Sequence, residues 1–148
     1  MIGNHERAHV LAEAEASCQQ RGGRLTRGRR AVLELLLQAG RPVTAYEILD
    51  RLRPNDTAAT PVSVYRGLDF LLGHGLVHRL ETTHAYVVCG HPDHPHAGQF
   101  LICRRCGTVV ETEDERVTTA TEQLGQRLGF ALDQRTVELT GVCGPCQG

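Results

Sequence analysis

A chain of 148 residues has room for one compact domain or two small ones. The apolar share of 41% supports a core, but with no Trp and only three Phe and three Tyr that core must rest on Leu, Val and Ala. No stretch approaches the ~20 consecutive apolar residues of a membrane span, and Met1 to Val10 lacks the apolar run of an export signal, so a soluble cytoplasmic protein is expected. The net charge of −1 is unevenly spread: residues 1–80 carry 11 Arg against 8 acidic residues, residues 81–148 carry 5 against 9. Lys is absent, so every basic side chain is a guanidinium suited to bidentate phosphate or guanine contacts. A solvated surface is the ordinary role of most such charges, and the asymmetry is only a hint of nucleic acid.

In chain order, residues 6–20 form an Ala/Glu/Gln-rich run with Ala8, Leu11, Ala12 and Ala16 at helical spacing, closed by Gly22-Gly23. Thr26 caps a second predicted helix with Ala31, Val32, Leu35, Leu36 and Ala39 on one face and Gly40 at its end. Thr44 and Glu47 make a T-x-x-E capping box for a short third helix through about Leu52. After a polar loop, Thr60-Pro61 supplies a cap and a first-turn proline for a fourth helix, ending near Gly73 or Gly75, with Val64, Leu68, Leu71 and Leu72 as its apolar face. The runs Leu76–Glu81 and Ala85–Cys89 around Thr82-Thr83 then predict a hairpin. Short helices followed by a hairpin are the order of a winged helix-turn-helix. Beyond it come a strand (Phe100–Cys103), a knuckle, a strand (Thr108–Thr112), an amphipathic helix carrying Val117, Ala120, Leu124 and Leu128, and a strand (Thr136–Thr140). The fold class expected is α+β, with a winged helix-turn-helix domain in residues 1–83, a hinge at 84–90 and a small α/β dimerisation and metal-binding domain in 91–148.

Chemistry concentrates in the second half. Cys103-x-x-Cys106 and Cys143-x-x-Cys146 each offer two thiolates from a tight turn, and together they complete a tetrahedral four-sulfur zinc site. The 36 residues between them exceed the usual zinc-ribbon gap and match a strand, helix and strand leading back to the start. A redox pair is the competing use of C-x-x-C; structural zinc is preferred because Gly107 and Gly144 follow in turns where a redox motif would open a helix. A looser set is His78, Cys89, His96 and Glu111, with His84, His91 and His94 nearby. An even hairpin loop would turn His78 and Cys89 to one face, and the set offers N, S, N and O ligands to one ion. For any single His a solvated loop side chain is the commoner role, and Cys18, alone on the first helix, reads as a packing residue. Catalysis is not expected: there is no H-E-x-x-H and no deaminase signature, and four ligands leave no open position for water.

Several stretches taken together resemble the ferric uptake regulator superfamily of bacterial metal-sensing repressors, and most of all its zinc-sensing branch. They are Arg24-Leu25-Thr26 with Arg29-Arg30-Ala31-Val32-Leu33, Thr44-Ala45-Tyr46, Pro61-Val62-Ser63-Val64-Tyr65-Arg66-Gly67-Leu68 and Gly75-Leu76-Val77-His78. Phe100-Leu101-Ile102-Cys103 with Cys106-Gly107 and the closing Cys143-x-x-Cys146 continue the likeness over roughly residues 10–147. Arg27-Gly28 departs from the family's usual pair before the arginine, and the His-rich run is altered to His91-Pro-Asp-His94-Pro-His96.

The resemblance implies two zinc ions per subunit: a structural one at Cys103, Cys106, Cys143 and Cys146, and a sensed one at His78, Cys89, His96 and Glu111. The Cys89 thiolate favours zinc over iron or manganese. It further implies a homodimer that binds double-stranded operator DNA when zinc-loaded and represses zinc uptake genes. Tyr46, Tyr65 and Arg66 would face the bases or backbone, and Arg24, Arg27, Arg29 and Arg30 the phosphates. Asp50 and Arg53 either pair between adjacent dimers or form an exposed pair within one helix. An iron- or manganese-sensing member of the superfamily and a cysteine redox switch are the alternatives.

Overall fold

The computed structural model describes residues 4–89, 98–133 and 135–148, which fall into two compact units, Met1–Pro92 and Asp93–Gly148. No helix among the described residues is long and apolar enough to cross a membrane.

The first unit contains helices α1 (Asn4–Gln20), α2 (Arg27–Ala39), α3 (Ala45–Leu52) and α4 (Pro61–Gly73), with strands β1 (Val43–Thr44), β2 (Val77–Leu80) and β3 (Ala85–Val88). The cap chemistry works largely as the sequence predicts. Thr26 accepts from the Arg29 N–H and Gly40, in the left-handed region, returns its N–H to the Leu36 carbonyl. Thr44 accepts from the Glu47 N–H at 3.2 Å, but the Glu47 carboxylate turns to Arg41 at 3.3 Å, so the expected reciprocal box is only half made. The full capping box sits one helix later, where the Thr60 and Ser63 side chains each accept from the other's backbone N–H, at 3.1 and 2.9 Å.

Behind these caps lies one core drawn from all four helices and the sheet, with Val32, Leu33, Leu36, Val43, Ile48, Val64, Leu68 and Leu71 almost fully buried. The buried face of α1 is Leu11, Ala14 and Cys18, whereas Ala8, Ala12 and Ala16 are exposed. In an Ala-rich helix, hydrophobicity alone does not pick out the packed face, and the observed face is rotated from the expected one, with Leu11 common to both. Cys18 is the packing residue expected of it, and burial raises its thiol pKa. On α2, Leu33 and Leu37 join the expected face.

The three-stranded sheet has the order β1-β3-β2; β1, a two-residue strand the sequence pattern does not announce, pairs antiparallel with β3. The hairpin register pairs Leu80 with Ala85 and His78 with Val87, leaving residues 81–84 as its connection. At its tip His84 takes a positive φ of 54° and its Nδ1 lies 3.1 Å from an Arg79 guanidinium that also pairs with Glu81. Three helices, a recognition helix and this wing make a winged helix-turn-helix.

The second unit holds β4 (Gln99–Cys103), β5 (Val109–Thr112), α5 (Glu115–Arg127), β6 (Val137–Gly141) and a single-turn α6 (Gly144–Gln147). Its sheet has the order β5-β4-β6: β5 returns antiparallel along β4, and β6 arrives parallel on the other side after α5. Buried Gln99 ties β4 to the start of α5. Its Oε1 accepts from the Asp114 N–H at 2.9 Å, and its Nε2 donates to the Asp114 carbonyl and the Thr118 hydroxyl at 3.1 and 3.0 Å. Asp114 in turn caps α5 through the Arg116 N–H. Of the apolar face expected on α5, Val117 is half-buried, while Ala120, Leu124 and Leu128 stand exposed.

Truncating Leu68, which has no solvent exposure at the middle of α4, should cost about 2–5 kcal/mol, and Thr60→Ala, which removes a cap, about 1 kcal/mol. Urea unfolding of the two variants against the parent chain measures both, and Leu68→Ala within 1 kcal/mol of the parent would contradict this packing.

Candidate metal centre and nucleic-acid interface

Strand β4 ends on Cys103, and the chain turns at once. The Gly107 N–H donates to the Cys103 carbonyl at 3.0 Å, and the Cys103 N–H donates to the Thr108 carbonyl at 2.9 Å. Gly107 sits at φ 76°, a backbone conformation that a Cβ would strain, so the glycine after the second cysteine closes the knuckle. The parallel register of β6 delivers the second knuckle to the same end of the sheet, with Gly141 opposite Cys103 and the Arg104 N–H on the Gly141 carbonyl at 2.9 Å. The Sγ atoms of Cys103, Cys106, Cys143 and Cys146 all lie within 4.8 Å of one another, and those of Cys106 and Cys143 are 3.7 Å apart. A tetrahedron with metal–sulfur bonds of about 2.3 Å has edges of roughly 3.8 Å, so the spacing fits zinc.

The electrostatics fit it as well. Backbone N–H groups of Cys106, then Cys143, aimed at Cys103 lower its thiol to about 6, and the Thr108 hydroxyl, 3.1 Å from Cys106 Sγ, lowers that one too. Cys146 is instead pushed up to about 12 by the Cys143 thiol, then the Cys106 thiol. Two thiolates form readily here, and crowding opposes the fourth unless a cation shares the site. No disulfide joins any of the six cysteines.

One expectation needs correction. The second C-x-x-C does open a helix, with Cys143 as the N-cap of α6 after a strand, so the absence of a following helix does not separate zinc from redox chemistry at that pair. The convergence of four sulfurs does. Thr108 and Arg105, whose guanidinium donates to the Cys146 carbonyl and latches the last knuckle to the first, support the site without being ligands. The T after C-x-x-C-G was the one sequence signal for either.

In the first unit, the four-residue hairpin connection puts His78 and Cys89 on one face of the wing sheet, as parity requires. Cys89 is buried, its N–H donates to the Leu76 carbonyl at 2.9 Å, and its Sγ lies within 4.8 Å of a ring nitrogen of His78. In the second unit Glu111 lies half-buried on β5, opposite Phe100. The fourth expected ligand, His96, lies outside the described residues, as do His91 and His94.

Helix α4 buries Val64, Leu68 and Leu71, which turns Val62, Tyr65, Arg66 and Asp69 outward; Val62 and Tyr65 are 59% and 52% exposed. The Arg66 side chain makes no hydrogen bond or ion pair among the described residues. Tyr46, on α3, is 79% exposed. The arginines of the α1–α2 region divide in two. Arg24 and Arg27 project into solvent, while Arg30 is held by Glu34 at 3.0 Å and Glu15 at 3.6 Å. Arg29 donates to the Arg24 carbonyl at 2.7 Å and lies over the Phe70 ring. Asp50 and Arg53 are both exposed and no ion pair joins them.

The ferric uptake regulator family model matches residues 20–140. The zinc uptake regulation protein of Escherichia coli (strain K12) is 43% identical over 138 residues, 93% of this chain and 81% of that protein. Among solved structures, a zinc uptake regulator complexed with zinc and DNA superposes with a TM-score of 0.90 at 42% identity over 95% of each chain. The crystal structure of holo XcZur gives 0.85 at 44% identity, over 95% of this chain and 98% of that one. With a family model spanning most of its length and close likeness to zinc uptake regulators in both sequence and fold, the chain belongs to the ferric uptake regulator family.

Proposed function

We propose that this chain is a zinc-responsive repressor that binds operator DNA as a homodimer when zinc-loaded and controls zinc uptake genes. One observation carries the reading: a relative solved with both zinc and DNA shares its fold at a TM-score of 0.90 and 42% of its residues. Two zinc ions per subunit are proposed. Cys103, Cys106, Cys143 and Cys146 hold a structural ion; His78, Cys89, His96 and Glu111 hold the sensed one. The thiolate of Cys89, beside His78, supports zinc as the sensed metal, since sulfur favours a borderline-soft ion over Fe²⁺ or Mn²⁺. Ligands drawn from both units give bound zinc the capacity to tether one to the other.

Dimerisation is supported by the second unit's uncovered surface. Leu101, Val110 and Leu139 form a row across the three strands, 47%, 50% and 55% exposed, and Leu124 and Leu128 on α5 are exposed as well. A second copy would cover such a face. On DNA, Arg66 reads a guanine edge from α4, Tyr65 and Tyr46 touch a thymine methyl or the backbone, and Arg24 and Arg27 meet phosphates. Arg30 would have to leave two carboxylates to do the same.

The zinc-loaded parent chain should enrich a two-fold symmetric duplex from a random library, and Arg66→Ala should lose about 1–3 kcal/mol on it and blur one base position per half-site. An unchanged base profile would contradict base reading by Arg66. Cys89→Ser should leave the unfolding curve in place and shift zinc-dependent DNA binding to higher free zinc; binding at the same free zinc would remove Cys89 from the sensing site. Cys103→Ser should lose one tightly held zinc equivalent and the dimer together, read by metal analysis and light scattering. A stable dimer short of one ion would contradict the structural role.

A further inference from the structure

Arg29 belongs to the motif that suggests phosphate contacts, yet its guanidinium is already employed. Its central carbon lies 3.8 Å from the centroid of the Phe70 ring, and Nη1 donates to the Arg24 carbonyl at 2.7 Å. Phe70 also stacks on His74, with ring centroids 4.0 Å apart and planes 29° from parallel, and His74 Nδ1 lies 2.9 Å from the Phe70 carbonyl. From the α1–α2 connection, Arg21 donates to the His74 carbonyl at 3.3 Å. Gly23 lies so close that a Cβ there would come within 2.7 Å of His74 Nε2 and 3.3 Å of the Phe70 ring. Arg21, Gly23, Arg24 and Arg29 thus grip one end of α4, the last turn of the helix that presents Arg66.

We propose that Arg29 is a positioning residue for DNA reading: stacked on Phe70, it sets the end of α4 and so the aim of Arg66, rather than touching a phosphate itself. The inference rests on the DNA-binding reading above. The buried residues Val64, Leu68 and Leu71 hold the inner side of α4 through apolar contacts, which are non-directional. The Arg29–Phe70–His74 stack is directional, because a cation over a ring face has a preferred place and the bond to the Arg24 carbonyl fixes the fork in its plane. Phe70 stands one helical turn after Arg66 on the same side of α4, so a displacement at the stack is carried to Arg66. The stack and the carbonyl bond hold the guanidinium in place, and a phosphate could reach only the N–H groups they leave over.

Phosphate contacts and aim have different signatures. A phosphate contact strengthens binding to every duplex and adds about 0.9 to the slope of log affinity against log salt. Aim affects only discrimination between duplexes. The test uses the full zinc-loaded chain, the duplex that the parent enriches from a random library, and a scrambled duplex of equal length and composition. Arg29→Met and Phe70→Leu are each expected to lower the ratio of the two affinities roughly 5- to 150-fold, the range spanned by one good base contact. Binding to the scrambled duplex and the salt slope should stay as in the parent. Phe70→Leu changes no charge, so it decides the matter alone if Arg29→Met fails to fold, and Arg29→Lys, which keeps a cation over the ring, should restore most of the discrimination. The proposal is overturned if Arg29→Met weakens both duplexes alike and flattens the salt slope, or if Phe70→Leu discriminates as the parent does. A parent chain that enriches no duplex overturns the DNA-binding reading and this inference together; a parent that does, with variants that still discriminate, overturns this inference alone.

Discussion

Four sulfur atoms within 4.8 Å of one another at the end of a three-stranded sheet are the constraint on which the second unit depends. Backbone N–H groups draw Cys103 toward the thiolate at about 6, while its neighbours push Cys146 to about 12, so the site invites charge and then resists completing it. A divalent cation resolves that conflict. The same cluster joins the end of β4 to the segment after β6, so the order of the sheet and the metal chemistry are one feature. The unit spans Asp93–Gly148, short of the ~70–80 residues below which an apolar core rarely suffices, and its large buried apolar side chains are few, Phe100 and Ile102 foremost. Metal binding and folding are therefore expected to be coupled there.

The first unit is organised by hydrocarbon instead. Its core is closed by Leu, Val and Ala from every helix, and its polar contacts lie at the caps and on the surface. That division explains why the arginines are not equivalent. A guanidinium bonded to carboxylates, or to a carbonyl and a ring, has fewer N–H groups left for DNA, whereas no side-chain partner is found for Arg24, Arg27 or Arg66 among the described residues. Motif membership groups all of these side chains together; their present partners separate them. In the proposed mechanism, the sensed metal needs about 5.5 kcal/mol of differential binding to move a pair of reading heads from 1:99 to 99:1 competence.

Much of this was legible in the residues because it rests on short-range chemistry. Thr26, Thr44 and Thr60-Pro61 mark helix starts through local hydrogen bonds, and the two C-x-x-C pairs announce the four sulfurs that the fold brings together. What was not legible depends on partners distant in sequence. The packed face of α1 is hidden by an alanine content that offers no contrast, and β1 is two residues long and exists only because β3 lies beside it. The use of Glu47 by Arg41 and the hold of Phe70 on Arg29 need the folded neighbours in place. Of the apolar face expected on α5, Val117 is half-buried while Leu124 and Leu128 are exposed, a difference that helical spacing does not encode. The hairpin parity of His78 and Cys89 is the intermediate case: it needed only the loop length, and the loop has four residues.

The most direct measurement is the affinity of the parent chain for its selected duplex across a series of buffered free-zinc concentrations, repeated with ferrous iron and manganese. Affinity should climb steeply with zinc while the structural ion stays bound throughout, with little response to the other two metals at equal free concentration. Equal affinity with and without free zinc, or a response to iron or manganese that matches or exceeds that to zinc, would contradict zinc sensing.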